Sequence, residues 1–105
     1  MIQAVFTVHH HIVTGFTLSG HADFSEQGSD IVCAAVSSAA YMAVNTLTDV
    51  QEIPCNVTVD DGFLQIELSN ENADKAQVVL NGLLLHLDAL SKQYAEYIDL
   101  KISEV

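Results

Sequence analysis

The chain has 105 residues, half of them hydrophobic, with fourteen Asp and Glu against three Lys and no Arg, and a formal charge of −11. This length predicts one domain over 1–105 that buries a core without metal or disulfide support. The charge argues against nucleic acid, which needs clustered Lys and Arg, and favours a cationic partner, although acidity also serves plain solubility. No Gly-rich phosphate loop with its Lys is present.

The first residues, Met1 to Phe6, have no basic segment before their apolar run, and the run is too short for a signal peptide or a membrane span. The expectation is a cytoplasmic protein with no membrane attachment. There Cys33 and Cys55 are expected as free thiols.

Residues 2–8 alternate, with Ile2, Ala4, Phe6 and Val8 on one face, which predicts a first strand. The His9-His10-His11 run falls at a turn. Neighbouring strand residues point to opposite faces and no second ligand cluster is visible, so the run is not read as a metal site. A second strand follows from about Ile12 to Ser19, with Phe16 and Leu18 on one side, and Gly20 ends it. Polar residues 21–29, with Gly28, read as a loop.

Asp30 or Ser29 then caps a helix reaching roughly Asp49. Its apolar residues surround nearly the whole circumference, which predicts burial on several sides. Pro54 marks the next boundary. Strands over 55–60 and 63–68 are joined at Asp61-Gly62, a hairpin signal, with Leu64, Ile66 and Leu68 inward. A second helix is expected from about Ala73 to Tyr94, with a stripe of Leu80, Leu83, Leu87, Leu90 and Tyr94 widened by Val79 and Leu84. The stripe could face the sheet or a second copy of the chain. Gly82 inside this helix suggests a close packing contact. A last strand carries Ile98, Leu100 and Ile102 on one face. The order β-β-α-β-β-α-β indicates an α+β fold, a mixed sheet with two helices.

The chemistry concentrates in Gly20-His21-Ala22 and in Gly28-Ser29-Asp30-Ile31-Val32-Cys33-Ala34-Ala35-Val36-Ser37. Cys33 falls in the first turn of the first helix, where unpaired N–H groups and partial positive charge favour a thiolate and offer donors, near residues 31–34, to an oxyanion. The loop after His21 is long enough to return its imidazole to the sulfur, and a Cys–His pair is the minimal activated nucleophile. The plain alternatives are a small buried hydrophobe for Cys33 and a surface His21. Asp30 either caps the helix or orients His21; its charge opposes a thiolate, and the cap carries more weight. Ser37 lies one turn after Cys33 on the same face. Cys55, after Pro54 at a strand edge, reads as structural.

The block Gly20–Ser37 resembles the signature of the ribosomal-processing cysteine protease (Prp) family. Gly15-Phe16-x-Leu18-Ser19-Gly20 and the closing Tyr94-Ala95-Glu96-Tyr97-Ile98 extend the resemblance over essentially the whole chain. It implies an endopeptidase that removes an N-terminal extension from a large-subunit ribosomal protein during ribosome assembly, cutting after an aromatic residue. It further implies His21 and Cys33 in the catalytic places, with Gly20, Asp30 and Ser37 supporting, a homodimer, a mobile loop between His21 and Cys33, and no cofactor. Two other classes fit the residues: a non-catalytic acidic module that escorts a basic ribosomal protein, and a thiol redox sensor using Cys33 and Cys55.

Overall fold

The computed structural model describes residues 1–22 and 30–105. Strands β1 (Ile2–His9) and β2 (Ile12–Ser19) form a hairpin. Its two-residue turn holds His10 and His11 at φ +49 and +67, the left-handed pair whose twist matches flanking strands. His9 Nδ1 lies 2.8 Å from the Val105 carbonyl oxygen, and its ring meets that of His10 edge to face at 4.2 Å.

Helix α1 (Ile31–Asn45) runs on into a π-helical turn over Thr46–Val50. The chain leaves it through Glu52 at φ +53, with the Ile53 N–H donating back to the Leu47 carbonyl at 2.8 Å. Strands β3 (Asn56–Asp60) and β4 (Phe63–Glu67) turn at Asp61-Gly62, with Asp60 paired to Phe63. Helices α2 (Asn70–Lys75) and α3 (Gln77–Gln93) precede β5 (Ile98–Glu104).

The sheet order is β3-β4-β2-β1-β5, antiparallel except for β1 beside β5. This is the α+β fold that the order of elements predicts. Period-two alternation decides which face is buried: Ile2, Ala4, Phe6 and Val8 of β1 and Leu64 and Ile66 of β4 all point to the core. Phe6 and Phe16 stack there at 5.5 Å between ring centroids. Leu80, Leu83 and Leu87 of α3 are buried in the same core, so the leucine stripe faces the sheet.

Three expectations need correction. The second helical region is two helices, because Ser69 accepts from the Asn72 N–H and starts a helix before Ala73, and Ala76 (φ −100, ψ 1) breaks it. Helix α1 is buried along one face only, through Val32, Val36, Ala40, Ala43 and Val44, while Ile31 and Met42 are 57% and 64% exposed. By length and composition Ile31–Val50 would suffice to cross a membrane (mean hydropathy 1.5), yet this buried face is committed to the core. Gly82 makes no close contact, since a Cβ there would meet open space. The last strand forms as expected, and burial fades along it from Ile98 in the core to Ile102 at 50% exposure.

Candidate active site

Three chain segments converge beside the start of α1. Asp30 is the N-cap: its Oδ1 accepts from the Val32 N–H at 2.9 Å and the Cys33 N–H at 3.0 Å, and its carbonyl accepts from the Ala34 N–H at 3.0 Å. Of the two candidate caps, Asp30 therefore fills the role. Ser29, Gly28 and the mobile loop that the resemblance implies fall on residues 23–29, outside the described residues. The cap also corrects one expectation. Of the amides near residues 31–34 expected as oxyanion donors, those of Val32, Cys33 and Ala34 are engaged by Asp30.

Cys33 is the third residue of the helix and is half-buried. Its Sγ accepts a hydrogen bond from the Ala22 N–H at 3.2 Å. Ala22 follows His21 and is itself 3% exposed, its methyl group packed into the core.

His21 leaves the end of β2, one residue past Gly20. Gly20 has φ +88, and a Cβ there would lie 2.5 Å from the Met1 carbonyl oxygen, so the bend requires glycine on both counts. The Gly20 N–H donates to the Gly62 carbonyl at 2.9 Å, and the Met1 amino group donates to the His21 carbonyl. The His21 imidazole then rests on the open side of Gly62.

His21, Cys33 and Ser37 line one cavity of about 160 Å³. Gly20 borders it as well, whereas Asp30 acts at its edge through the helix start. The buried Leu18, Val36 and Leu64 give it apolar walls, and Tyr41, Asp60 and Phe63 complete the rim. Sequence reasoning did not find Gly62, Asp60, Tyr41 or Phe63. The Asp61-Gly62 turn was visible, but its placement against His21 depends on the pairing of β4 with β2, Ser19 opposite Phe63.

The second cysteine is in a different setting. The Cys55 thiol donates to the Ile53 carbonyl at 3.1 Å, and burial raises its pKa above the ordinary thiol value. Desolvation disfavours the thiolate there, which fits a structural part. Among the described residues, no group of three or more His, Cys, Asp or Glu is arranged to hold a metal ion.

The arrangement combines a half-buried sulfur with a fixed amide donor, an imidazole on the same cavity, and apolar walls. Nucleophilic attack on a carbonyl needs these parts. Comparison with known proteins agrees. Residues 1–99 match the family described as cysteine protease Prp. The ribosomal processing cysteine protease Prp of Staphylococcus aureus (strain NCTC 8325) is 34% identical over 90 residues, covering 84% of this chain and 85% of that protein. The Bacillus subtilis (strain 168) protein of the same name is 31% identical over 103 residues, covering 91% and 92%. The crystal structure of the S. aureus ribosomal processing protease Prp with a covalently linked product peptide matches with a TM-score of 0.90 at 33% identity, over 98% of this chain and 100% of that one. The chain belongs to the Prp family of cysteine proteases, enzymes that hydrolyse peptide bonds.

Proposed function

We propose that this protease removes the N-terminal extension of a large-subunit ribosomal protein, cutting after an aromatic residue, with Cys33 as nucleophile and His21 as base. The observation that carries the reading is the shared cavity: Cys33 and His21 line one recess at the start of α1, with both apolar and polar walls. Relatives named for ribosomal processing supply the substrate class.

His21 takes the Cys33 proton and the thiolate attacks the scissile carbonyl carbon. The tetrahedral adduct collapses, the C–N bond breaks, and His21 returns the proton to the leaving amine. Water, deprotonated by His21, then hydrolyses the thioester and restores the thiol. Leu18, Val36 and Leu64, with Phe63 and Tyr41, offer the apolar surface that an aromatic side chain needs. Exposed Asp60 places negative charge at the rim, and the net charge of −11 raises the encounter rate with a basic precursor. Cysteine and histidine suffice for these steps without a cofactor, and a ribosomal precursor places the work in the cytoplasm, away from membranes and without direct nucleic-acid contact. The enzyme acts as a homodimer. The groove between α1 and α3, lined by Ala39, Met42, Val78, Val79 and Leu83, is the apolar surface that a second copy covers.

The test is incubation with the host's unprocessed ribosomal protein and mass measurement of the product. Wild type yields the shortened protein with a single cut after an aromatic residue, and Cys33→Ala and His21→Ala yield none. Cleavage by folded Cys33→Ala at the wild-type rate would end the assignment.

A further inference from the structure

The charge at the start of α1 sets a problem for a thiolate. The helix N-terminus ordinarily stabilises an anion through its unpaired amides. Here the Val32 and Cys33 amides donate to the Asp30 carboxylate and the Ala34 amide donates to the Asp30 carbonyl. A carboxylate so placed also repels a second negative charge nearby. The Ala22 N–H, from another segment, reaches the sulfur at 3.2 Å.

The geometry points to the backbone N–H of Ala22 as a catalytic group, one that holds the negative charge of the Cys33 sulfur once its proton has passed to His21. The placement is built rather than incidental. Ala22 buries its methyl group in the core at 3% exposure. Two residues earlier, the Gly20 amide is tied to the Gly62 carbonyl at 2.9 Å. The segment is therefore held in place and its amide meets the sulfur with little reorganisation, the condition under which such donors act most strongly. The same anchoring links nucleophile and base, because the residue that donates to Cys33 is the immediate neighbour of His21.

This inference rests on Cys33 being the nucleophile, so its test reads the thiol rather than peptide cleavage. Lactate in place of Ala22 turns the amide into an ester, which removes the donor and weakens the His21 carbonyl as the acceptor of the Met1 amino group. The chain is assembled by ligation of a synthetic 1–32 segment at Cys33. Iodoacetamide alkylation is followed across pH, peptide by peptide, so that Cys33 is separated from Cys55. A hydrogen bond to a charged group is worth enough to change the thiolate population about ten- to hundredfold. The ester protein is expected to alkylate at Cys33 slower by that factor at pH 7, with its midpoint moved to higher pH. A folded ester protein with the natural alkylation profile overturns the inference while leaving the nucleophile assignment intact.

A second measurement needs no variant. In the natural protein the Ala22 amide proton resonance should move with the same midpoint as Cys33 reactivity. An Ala22 resonance that stays fixed while Cys33 ionises overturns the inference as well.

Discussion

Gly62 and His21 meet so closely that a Cβ on Gly62 would stand 2.8 Å from the His21 Nε2. The hairpin tip between β3 and β4 thus acts as the floor on which the proposed base lies. The Gly20 amide, bonded to the Gly62 carbonyl, fixes the two segments to each other.

Gly62 has φ +64, so substitution there has a backbone cost besides the steric one. Gly62→Asn separates the two effects, because Asn tolerates left-handed geometry but still carries a Cβ. The expected outcome is a folded protein whose kcat/KM drops about a hundredfold, the scale set by displacing a catalytic group by roughly an ångström. Most of the loss should appear in kcat. Steady-state kinetics on a peptide spanning the cleavage site decides it: full activity in Gly62→Asn would show that the ring has another resting place.

Asp30 distinguishes a cap from a histidine-orienting charge. Asn caps a helix as well as Asp does, so Asp30→Asn should hold its melting temperature. It also loses a charge that opposes the thiolate, so Cys33 should alkylate faster at pH 6 than in wild type. Asp30→Ala removes the cap and should cost about 1 kcal/mol, or roughly 4–8 °C in Tm. A fall in kcat of several orders of magnitude in Asp30→Asn, with stability unchanged, would instead mean that the carboxylate orients His21.

Much of this fold was legible because strands declare themselves by alternation. Ile2, Ala4, Phe6 and Val8 could belong only to a strand with one buried face, and Asp61-Gly62 to a tight turn. Helix α1 was harder to read. An apolar circumference looks the same in sequence whether it is covered by the same chain or left outside, and only the packing shows Met42 outward and Val36 inward. The break at Ala76 carries no Gly or Pro to announce it; it follows from Ser69 starting the helix early. At the site, Cys33 could be placed from its distance to the Asp30 cap, a local relation. The contact of His21 with Gly62 joins segments far apart in sequence and depends on the pairing of β4 with β2, which no local signal encodes.

Cys55 gives a pH prediction of known sign. Burial raises its pKa above 9.0, so between 9.0 and its folded value the native state keeps a proton that the unfolded state has released. The unfolded state then binds fewer protons, and stability falls as pH rises through that window. Cys55→Ser keeps a donor for the Ile53 carbonyl but does not titrate there. Urea unfolding at pH 8, 9 and 10 should show a shallower loss for Cys55→Ser than for wild type. Parallel slopes would remove Cys55 from the account. Below pH 8 the same desolvation makes Cys55 the slower of the two thiols toward iodoacetamide.

The His10-His11 turn holds two non-glycine residues at positive φ, a conformation that costs most residues roughly 1–2 kcal/mol. Asn-Gly is the pair best suited to it. His10→Asn with His11→Gly should raise stability by about 1 kcal/mol and leave cleavage untouched, because the turn sits at the opposite end of β1 and β2 from Ile2, Ser19 and the cavity. Denaturant midpoints and a cleavage assay check both halves. A drop in stability would mean that the His10 ring, 4.2 Å from that of His9, contributes more than the backbone costs.

The outward face of α1 and the adjoining face of α3 bear on the proposed homodimer. Met42, Val78 and Leu85 are 64%, 89% and 73% exposed, and Met42 and Val78 border the groove between the two helices. Leaving such side chains in water forgoes about 25 cal/mol for each Å² of apolar surface, which gives a second copy reason to cover them. Met42→Glu adds one buried, unpaired charge per protomer at that contact, a change that typically costs several kcal/mol and converts the assembly to monomers. The active-site cavity involves neither Met42 nor Val78, so alkylation of Cys33 should survive the change. Sedimentation equilibrium at micromolar concentration is the measurement. Wild type should run at twice the mass of one chain and Met42→Glu at one, and a wild-type protein that sediments as a single chain removes the dimer from the reading while leaving the chemistry of Cys33 in place.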